Sequence, residues 1–228
     1  MTQWKAHRSD MGFTLMELMT VTALIALLLA LGGAGIMNAR KKADQQASIS
    51  RLRIWGVGIQ LHISDHSGRL PGPLWPGQVA EYDVTRPGRL VVDLADYIGL
   101  ENAAGVFVVE DMLSPAFKRM IPQAQWATGR HWVVNMNVPL NSDPETSPTE
   151  NVSPWGNRAV GVGQQPVPLA RITQPSRTWA MTEADQLHPD VAGASWRAQA
   201  PAQPLHGNRR PTLFFDGRLE MIPVENVP

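Results

Sequence analysis

Cysteine is absent from the 228 residues. That removes disulfide frameworks, zinc ribbons, iron–sulfur ligation and thiol nucleophiles together, and leaves the compartment open. Neither sign of charge is in excess, with 20 Lys and Arg against 20 Asp and Glu. A nucleic-acid-binding domain carries a basic surplus, so no nucleic acid is expected among the partners. Charged residues are 18% of the chain, below the roughly one quarter of an ordinary globular domain. Nineteen Gly and nineteen Pro are too few for a low-complexity chain and predict a fold rich in loops. No internal repeat is visible, and no Gly-x-Ser-x-Gly elbow surrounds any serine. Gly56-Val57-Gly58 and Gly161-Val162-Gly163 lack the context of a phosphate-binding loop and read as turn or packing features.

What is abundant sits at the N-terminus. A short polar stretch, MTQWKAHRSDMG, precedes a long apolar run over residues 13–37 in which Glu17 is the single ionisable side chain. Residues 18–37 carry no charge at all. As a helix they would be roughly 30 Å long, the thickness of a bilayer's hydrocarbon core. The run is apolar on all sides, as lipid demands of a lone helix. A secretory signal peptide is the competing reading. Its apolar core is shorter, about 7–15 residues, and ends in a small-x-small cleavage site, where this chain has Leu-Gly-Gly-Ala-Gly-Ile-Met. A carboxylate near the centre of a membrane helix costs about 2.5–3.5 kcal/mol. Glu17 must therefore either snorkel to an interface or pair with a positive charge on another chain. Ala26, Ala30 and Ala34 recur every fourth residue, a spacing that lets membrane helices approach closely. Gly32, Gly33 and Gly35 predict a loosened stretch near the run's outer end.

Gly12-Phe13-Thr14-Leu15-Met16-Glu17-Leu18, with a basic leader before it and an apolar helix after it, resembles the prepilin-type cleavage and methylation signal. That signal marks type IV pilins and the pseudopilins of type II secretion systems. The resemblance implies that prepilin peptidase cuts between Gly12 and Phe13, that Phe13 is N-methylated, and that Glu17 is the intramembrane acid of assembly. Met16 departs mildly from the aliphatic residue usual there. The new α-amino group at Phe13, with a reference pKa of about 7.7–8.0, would be largely cationic at neutral pH. It could then neutralise the Glu17 carboxylate of a neighbouring subunit.

Beyond Met37 the pattern becomes amphipathic. Ile49, Leu52, Gly56, Ile59 and Ile63 share one helical face, and Gly56 on that face would admit a closely packed strand. Ser67-Gly68 and Pro71-Gly72-Pro73 end the helix. The expected organisation is a cleaved leader at 1–12, a transmembrane and assembly helix at 13–37, an amphipathic continuation at 38–66 and an extracytoplasmic head at 67–228. The fold class expected is α+β, a long N-terminal helix packed on a small antiparallel sheet with long loops. Strand candidates are 105–110, 131–138, 177–182 and 212–222, and 92–100 reads as a short helix. In 212–222, Asp216-Gly217 has the chemistry of a two-residue type I′ hairpin turn, with Leu213 and Phe215 on one face and Phe214 on the other. Seven prolines from Pro139 to Pro175 predict a long surface loop.

A second resemblance lies near the C-terminus. His206, nine residues and then Asp216-Gly217 form a His-x9-Asp-Gly pattern similar to the C-terminal signature of a large class of bacterial prepilin-like proteins. The segments Ser50-Arg51-Leu52-Arg53, Gly68-Arg69-Leu70-Pro71 and Pro175-Ser176-Arg177-Thr178 are similar to that class too. The Cys-Pro pair common in related sequences around 108–115 is missing. His206, Asp216 and Gly217 are read as a structural motif, His206 bonding a backbone carbonyl or the Asp216 carboxylate.

No catalytic residue is assigned, and no cofactor or metal is expected. His62 and His66, four apart, lack a third ligand. Asn141-Ser142-Asp143-Pro144-Glu145 is an oxygen-rich calcium candidate without the acidic ladder of an EF-hand. The eight dispersed Trp read as core anchors. The function expected is that of a non-enzymatic subunit of a type II secretion pseudopilus or a type IV pilus-like filament, in the bacterial inner membrane. Its expected partners are prepilin peptidase, like or related subunits, the assembly machinery and the lipid bilayer. The alternative is a membrane-tethered binding or catalytic domain that uses the helix only as an anchor.

Overall fold

The computed structural model describes residues 13–140, 151–158 and 164–226, and within these the side chains of all but 30–34 and 151. The leader at 1–12, with Gly12, and the calcium candidate at 141–145 lie outside the described residues. The fold is α+β. Its longest element, α1 (Leu15–Asp65), is a single helix, so the glycines at 32, 33 and 35 do not interrupt it as the composition predicts. Backbone hydrogen bonding through a helix tolerates glycine at about 1 kcal/mol each. The chain divides into two compact units, Met1–Lys42 and Ala43–Pro228. The amphipathic stretch expected as a separate piece at 38–66 thus belongs, from Ala43 on, with the head.

In the first unit the large apolar side chains of residues 13–29, together with Ile36 and Met37, are exposed on every side of the helix. Among the described residues no helix is long and apolar enough to cross a membrane.

In the second unit α1 ends where the sequence places it. Ser67 takes a positive φ of 55° and Gly68 one of 81°. The Gly68 N–H bonds the Ile63 carbonyl at 2.8 Å, the six-to-one bond of a Schellman cap that satisfies a terminal carbonyl. The head's strands are mostly short: β1 (Gly77–Gln78), β2 (Glu81–Tyr82), β3 (Phe107–Val108), β4 (Trp132–Val134), β5 (Val138–Pro139), β6 (Asn151–Val152), β7 (Trp179–Glu183), β8 (Arg209–Phe214) and β9 (Leu219–Pro223). A five-stranded antiparallel sheet runs in the order β1-β4-β7-β8-β9, and β2-β3 and β5-β6 form two small ribbons. Each strand expectation finds a counterpart. The helix expected at 92–100 breaks into α2 (Leu90–Asp93) and a 3₁₀ turn at Ala95–Tyr97. Two further short helices, α3 (Pro115–Met120) and α4 (Pro189–Ala192), begin on Pro behind Ser114 and His188 caps, where a missing N–H costs nothing.

The sheet is covered on both faces. Leu52, Trp55, Ile59 and Ile63 of α1 pack with Ala180, Met181, Leu213 and Phe215 in the main core. Phe214 points the other way, into a second cluster with Val133, Trp179, Ala184, Val191 and Ala200. The alternation of 213–215 thus distributes bulk to both layers, as a period-two strand must. Gly56 provides the close approach expected of it: a Cβ there would stand 3.1 Å from Leu213 Cδ1. The Pro-rich stretch is not wholly a surface loop. Trp155 is fully buried against Phe215, ring centroids 5.4 Å apart, because an aromatic ring of that size gains more from core burial than a loop gains from solvent.

Candidate functional site

At the N-terminal end of α1, Thr14 and Glu17 close on each other. The Thr14 backbone N–H donates to Glu17 Oε2 at 2.9 Å, the Thr14 hydroxyl donates to the same oxygen at 2.9 Å, and the Glu17 N–H donates to Thr14 Oγ1 at 3.2 Å. This is a capping box, a Thr-x-x-Glu pair that satisfies donors the first helical turn leaves unpaired. Its signal, Thr14 followed three residues later by Glu17 just before an apolar run, was legible in the sequence but missed. The carboxylate is also favoured there by the positive end of the helix dipole. Both Thr14 donors go to Oε2, and neither to Oε1. Phe13 beside it is 79% exposed.

The structure separates the two ends of the C-terminal motif. Asp216 Oδ1 accepts from the Arg218 N–H at 3.0 Å. The Gly217 N–H bonds the Phe214 carbonyl at 3.0 Å, and Phe214 N–H bonds the Arg218 carbonyl at 2.9 Å. Gly217 has φ 87°, while Asp216 is not among the residues of positive φ. The turn is therefore a three-residue loop, a type I turn closed by a left-handed glycine, and not the two-residue type I′ turn expected. An Asp side chain that bonds two residues ahead stabilises the right-handed turn conformation and removes the need for positive φ at 216. The Arg218 guanidinium lies 3.7 Å over the Phe214 ring and donates to the Ser176 carbonyl at 2.8 Å. The Pro175–Thr178 segment and the hairpin tip are thus held together.

His206 does not meet Asp216. Six residues of β8 stand between, and an extended strand of that length spans about 20 Å. His206 instead enters a buried polar cluster. Its Nε2 lies 2.9 Å from Ser48 Oγ on α1 and 3.3 Å from Glu183 Oε2 on β7. On the other side of Glu183, His131 Nε2 stands 3.5 Å from Oε1 and 3.1 Å from Ser114 Oγ. Burial by itself raises a carboxyl, but the two imidazoles outweigh it and hold Glu183 at about 2. The two contacts are long, at 3.5 and 3.3 Å. Burial lowers His131, against the opposing pull of Glu183. Ser114, His131 and Glu183 do not form a hydrolytic relay. A relay sets nucleophile and acid on opposite ring nitrogens, whereas both contacts here fall on Nε2 and Nδ1 has no partner among the described residues. All three residues are sealed from solvent, and Ser114 Oγ accepts from Phe117 N–H as the cap of α3.

A buried ion pair sits at the end of the same sheet. Arg210 Nε and Nη2 grip Asp185 at 2.6 and 2.9 Å, both side chains being 1% exposed. His188, beside them, is lowered to about 4 by burial first and by the Arg210 charge second. His62 and His66 stack at 3.8 Å and His66 Nδ1 contacts the His62 carbonyl at 2.9 Å. Among the described residues no group of three or more His, Cys, Asp or Glu is arranged to hold a metal. Sequence reasoning found His206 but not Glu183, His131, Ser48, Asp185 or Arg210, since residues so far apart in the chain leave no local spacing to read. No protein-family model, curated protein or solved structure matches the chain.

Proposed function

We propose that the chain is a non-enzymatic, membrane-anchored subunit of a pseudopilus or pilus-like filament, the pseudopilus of type II secretion being preferred. The observation that carries the reading is the first unit's surface. Residues 13–29 expose large apolar side chains on all sides of the helix, and their single carboxylate, Glu17, lies in its first turn. A surface of that kind is stable in water only when lipid or other helices cover it. A carboxylate at the end, with one oxygen engaged by Thr14, offers the other to a cation on the covering partner. The Gly12/Phe13 junction supplies that cation if prepilin peptidase removes the leader and exposes the Phe13 amine. Helices of like subunits then pack in the membrane and in the filament core, with the head in the periplasm or outside the cell.

Mass spectrometry and N-terminal sequencing of the protein extracted from native membranes test this directly. The expected product begins at N-methylated Phe13, and replacing Gly12 with a bulky residue leaves residues 1–12 attached. A native chain that keeps its leader, or one cut after Gly33 or Gly35, overturns the reading. Recovery in membranes but never in a sheared filament fraction would point instead to a tethered domain.

A further inference from the structure

Away from the buried clusters, the head carries a basin of about 330 Å³ lined by Trp75, Arg86, Pro87, Arg89, Arg130 and Arg158. Four guanidiniums around one concavity are unusual in a chain of zero net charge. Two of them are already paired. Arg89 binds Glu81 through Nη1, and Arg86 Nε lies 3.2 Å from Asp83. Arg130 and Arg158 have no carboxylate within 4.0 Å among the described residues. Arg130 is held by uncharged acceptors, the Gly77 carbonyl through Nη1 and Gln199 Oε1 at 3.0 Å. Burial, and then the neighbouring Arg89 charge, lower it from its ordinary value. Arg158 is exposed and feels Asp93 only through its field; Asp93 itself is pushed up to about 6 by burial, against Arg158.

The backbone holds this basin open. Gly88, at φ 88°, turns beneath the Trp75 ring so closely that a Cβ would stand 2.9 Å from Trp75 Cδ1 and 3.2 Å from Arg158 Cδ. The Gly88 carbonyl accepts from Trp75 N–H at 2.9 Å and from Gln78 Nε2 at 3.3 Å. Gln78 Oε1 accepts from Leu90 N–H at 2.6 Å. The positions of Trp75 and Arg89 are therefore fixed by hydrogen bonds that make no use of the guanidiniums. Planar guanidiniums form bidentate bonds to tetrahedral oxyanions, and two uncompensated ones match a doubly charged group. The indole wall of Trp75, 38% exposed, suits a flat organic substituent on that anion.

We infer that this basin binds a small phosphate monoester as its dianion, with Arg130 and Arg158 on the phosphate and Trp75 against the organic group. The site is independent of the processing and assembly proposed for the N-terminal unit.

Isothermal titration of the detergent-solubilised full chain at pH 7.5 tests it, with phenyl phosphate, inorganic phosphate and phenyl sulfate as probes. Phenyl phosphate should bind saturably at one site, about tenfold or more tighter than the singly charged phenyl sulfate. Inorganic phosphate should bind more weakly than phenyl phosphate, and Trp75→Leu should remove that difference. Arg158→Gln, which breaks no ion pair of the fold, should weaken phenyl phosphate about tenfold with an unchanged melting curve. Arg86→Gln, at a largely exposed side chain, provides a second folded variant and should weaken it less. Absence of saturable heat, equal affinity for the sulfate, or full affinity in a folded Arg158→Gln chain overturns the assignment.

Discussion

Leu28 and Leu52 lie on the same helix, yet the first is 68% exposed and the second wholly buried. The difference follows from what surrounds each in sequence. Around Leu52 the charged Arg51 and Arg53 leave a single apolar face, and the sheet supplies Leu213 and Phe215 to meet it. Around Leu28 there is no polar face, and one sheet could cover only one side of such a helix. A chain that makes both segments has an apolar surface it can bury itself and another that something else must bury. The head shows the opposite economy. It buries Asp185 and Arg210 because each meets the opposite charge inside, and Glu183 because two imidazoles flank it; the penalty falls only when a partner is removed.

The sharpest break of that comparison is in the head. Arg210→Ala leaves Asp185 buried without its bidentate partner and should cost about 3–5 kcal/mol in urea unfolding of the solubilised chain. A loss below about 1 kcal/mol would mean that solvent reaches the pair.

Acid should separate two components of the same core. His188, lowered to about 4, stays neutral when folded but takes up a proton when unfolded, so stability falls as pH drops from about 6.5 towards 4. Linkage puts that loss at about 2 kcal/mol between pH 7 and pH 5. Glu183, held at about 2, contributes stability that is complete above its unfolded value of 4.5 and is lost as pH falls through about 2. His188→Gln should therefore flatten the upper window and leave the lower one. Urea midpoints from pH 7 to pH 3 measure both, and an unchanged slope above pH 5 in the variant would show that His188 is not the source.

Gly217→Val tests the hairpin tip. Nothing lies within 4 Å of a Cβ at that position, so the cost is purely that of a β-branched residue at φ 87°, about 1–3 kcal/mol. No change in melting temperature would refute the left-handed glycine.

Glu17 gives the smallest effect on stability and the most specific one on assembly. Glu17→Val removes the capping acceptor, about 1 kcal/mol of helix-end stability, while Glu17→Gln keeps an acceptor for the Thr14 N–H. If the carboxylate's charge docks a neighbour's amine, both variants should insert into membranes and both should fail to enter a sheared filament fraction. Normal assembly by the Gln variant alone would reduce Glu17 to a helix cap.

Local pattern was enough for the features whose cause is local. The uninterrupted apolarity of 18–37 sets apart the first unit, and the three-four spacing through Leu52, Ile59 and Ile63 marks a buried helical face. Ser67-Gly68 stops the helix, and the alternation at 213–215 assigns side chains to two layers. The loop at Asp216-Gly217 was located correctly and typed wrongly, since one residue's side-chain bond decided its conformation. His206 was singled out, but its partners were not. Ser48 precedes it by 158 residues, and Glu183 reaches it only because β7 and β8 are neighbours in the sheet. The same holds for Arg210 with Asp185, and for the four arginines of the basin, which come from three separate stretches of chain. A sequence by itself determines what depends on neighbours a few residues away: helix, cap, turn and face. Which distant charges become neighbours depends on how the sheet orders its strands, and only the tertiary structure decides that, because long-range pairing is settled by the packing of the whole head.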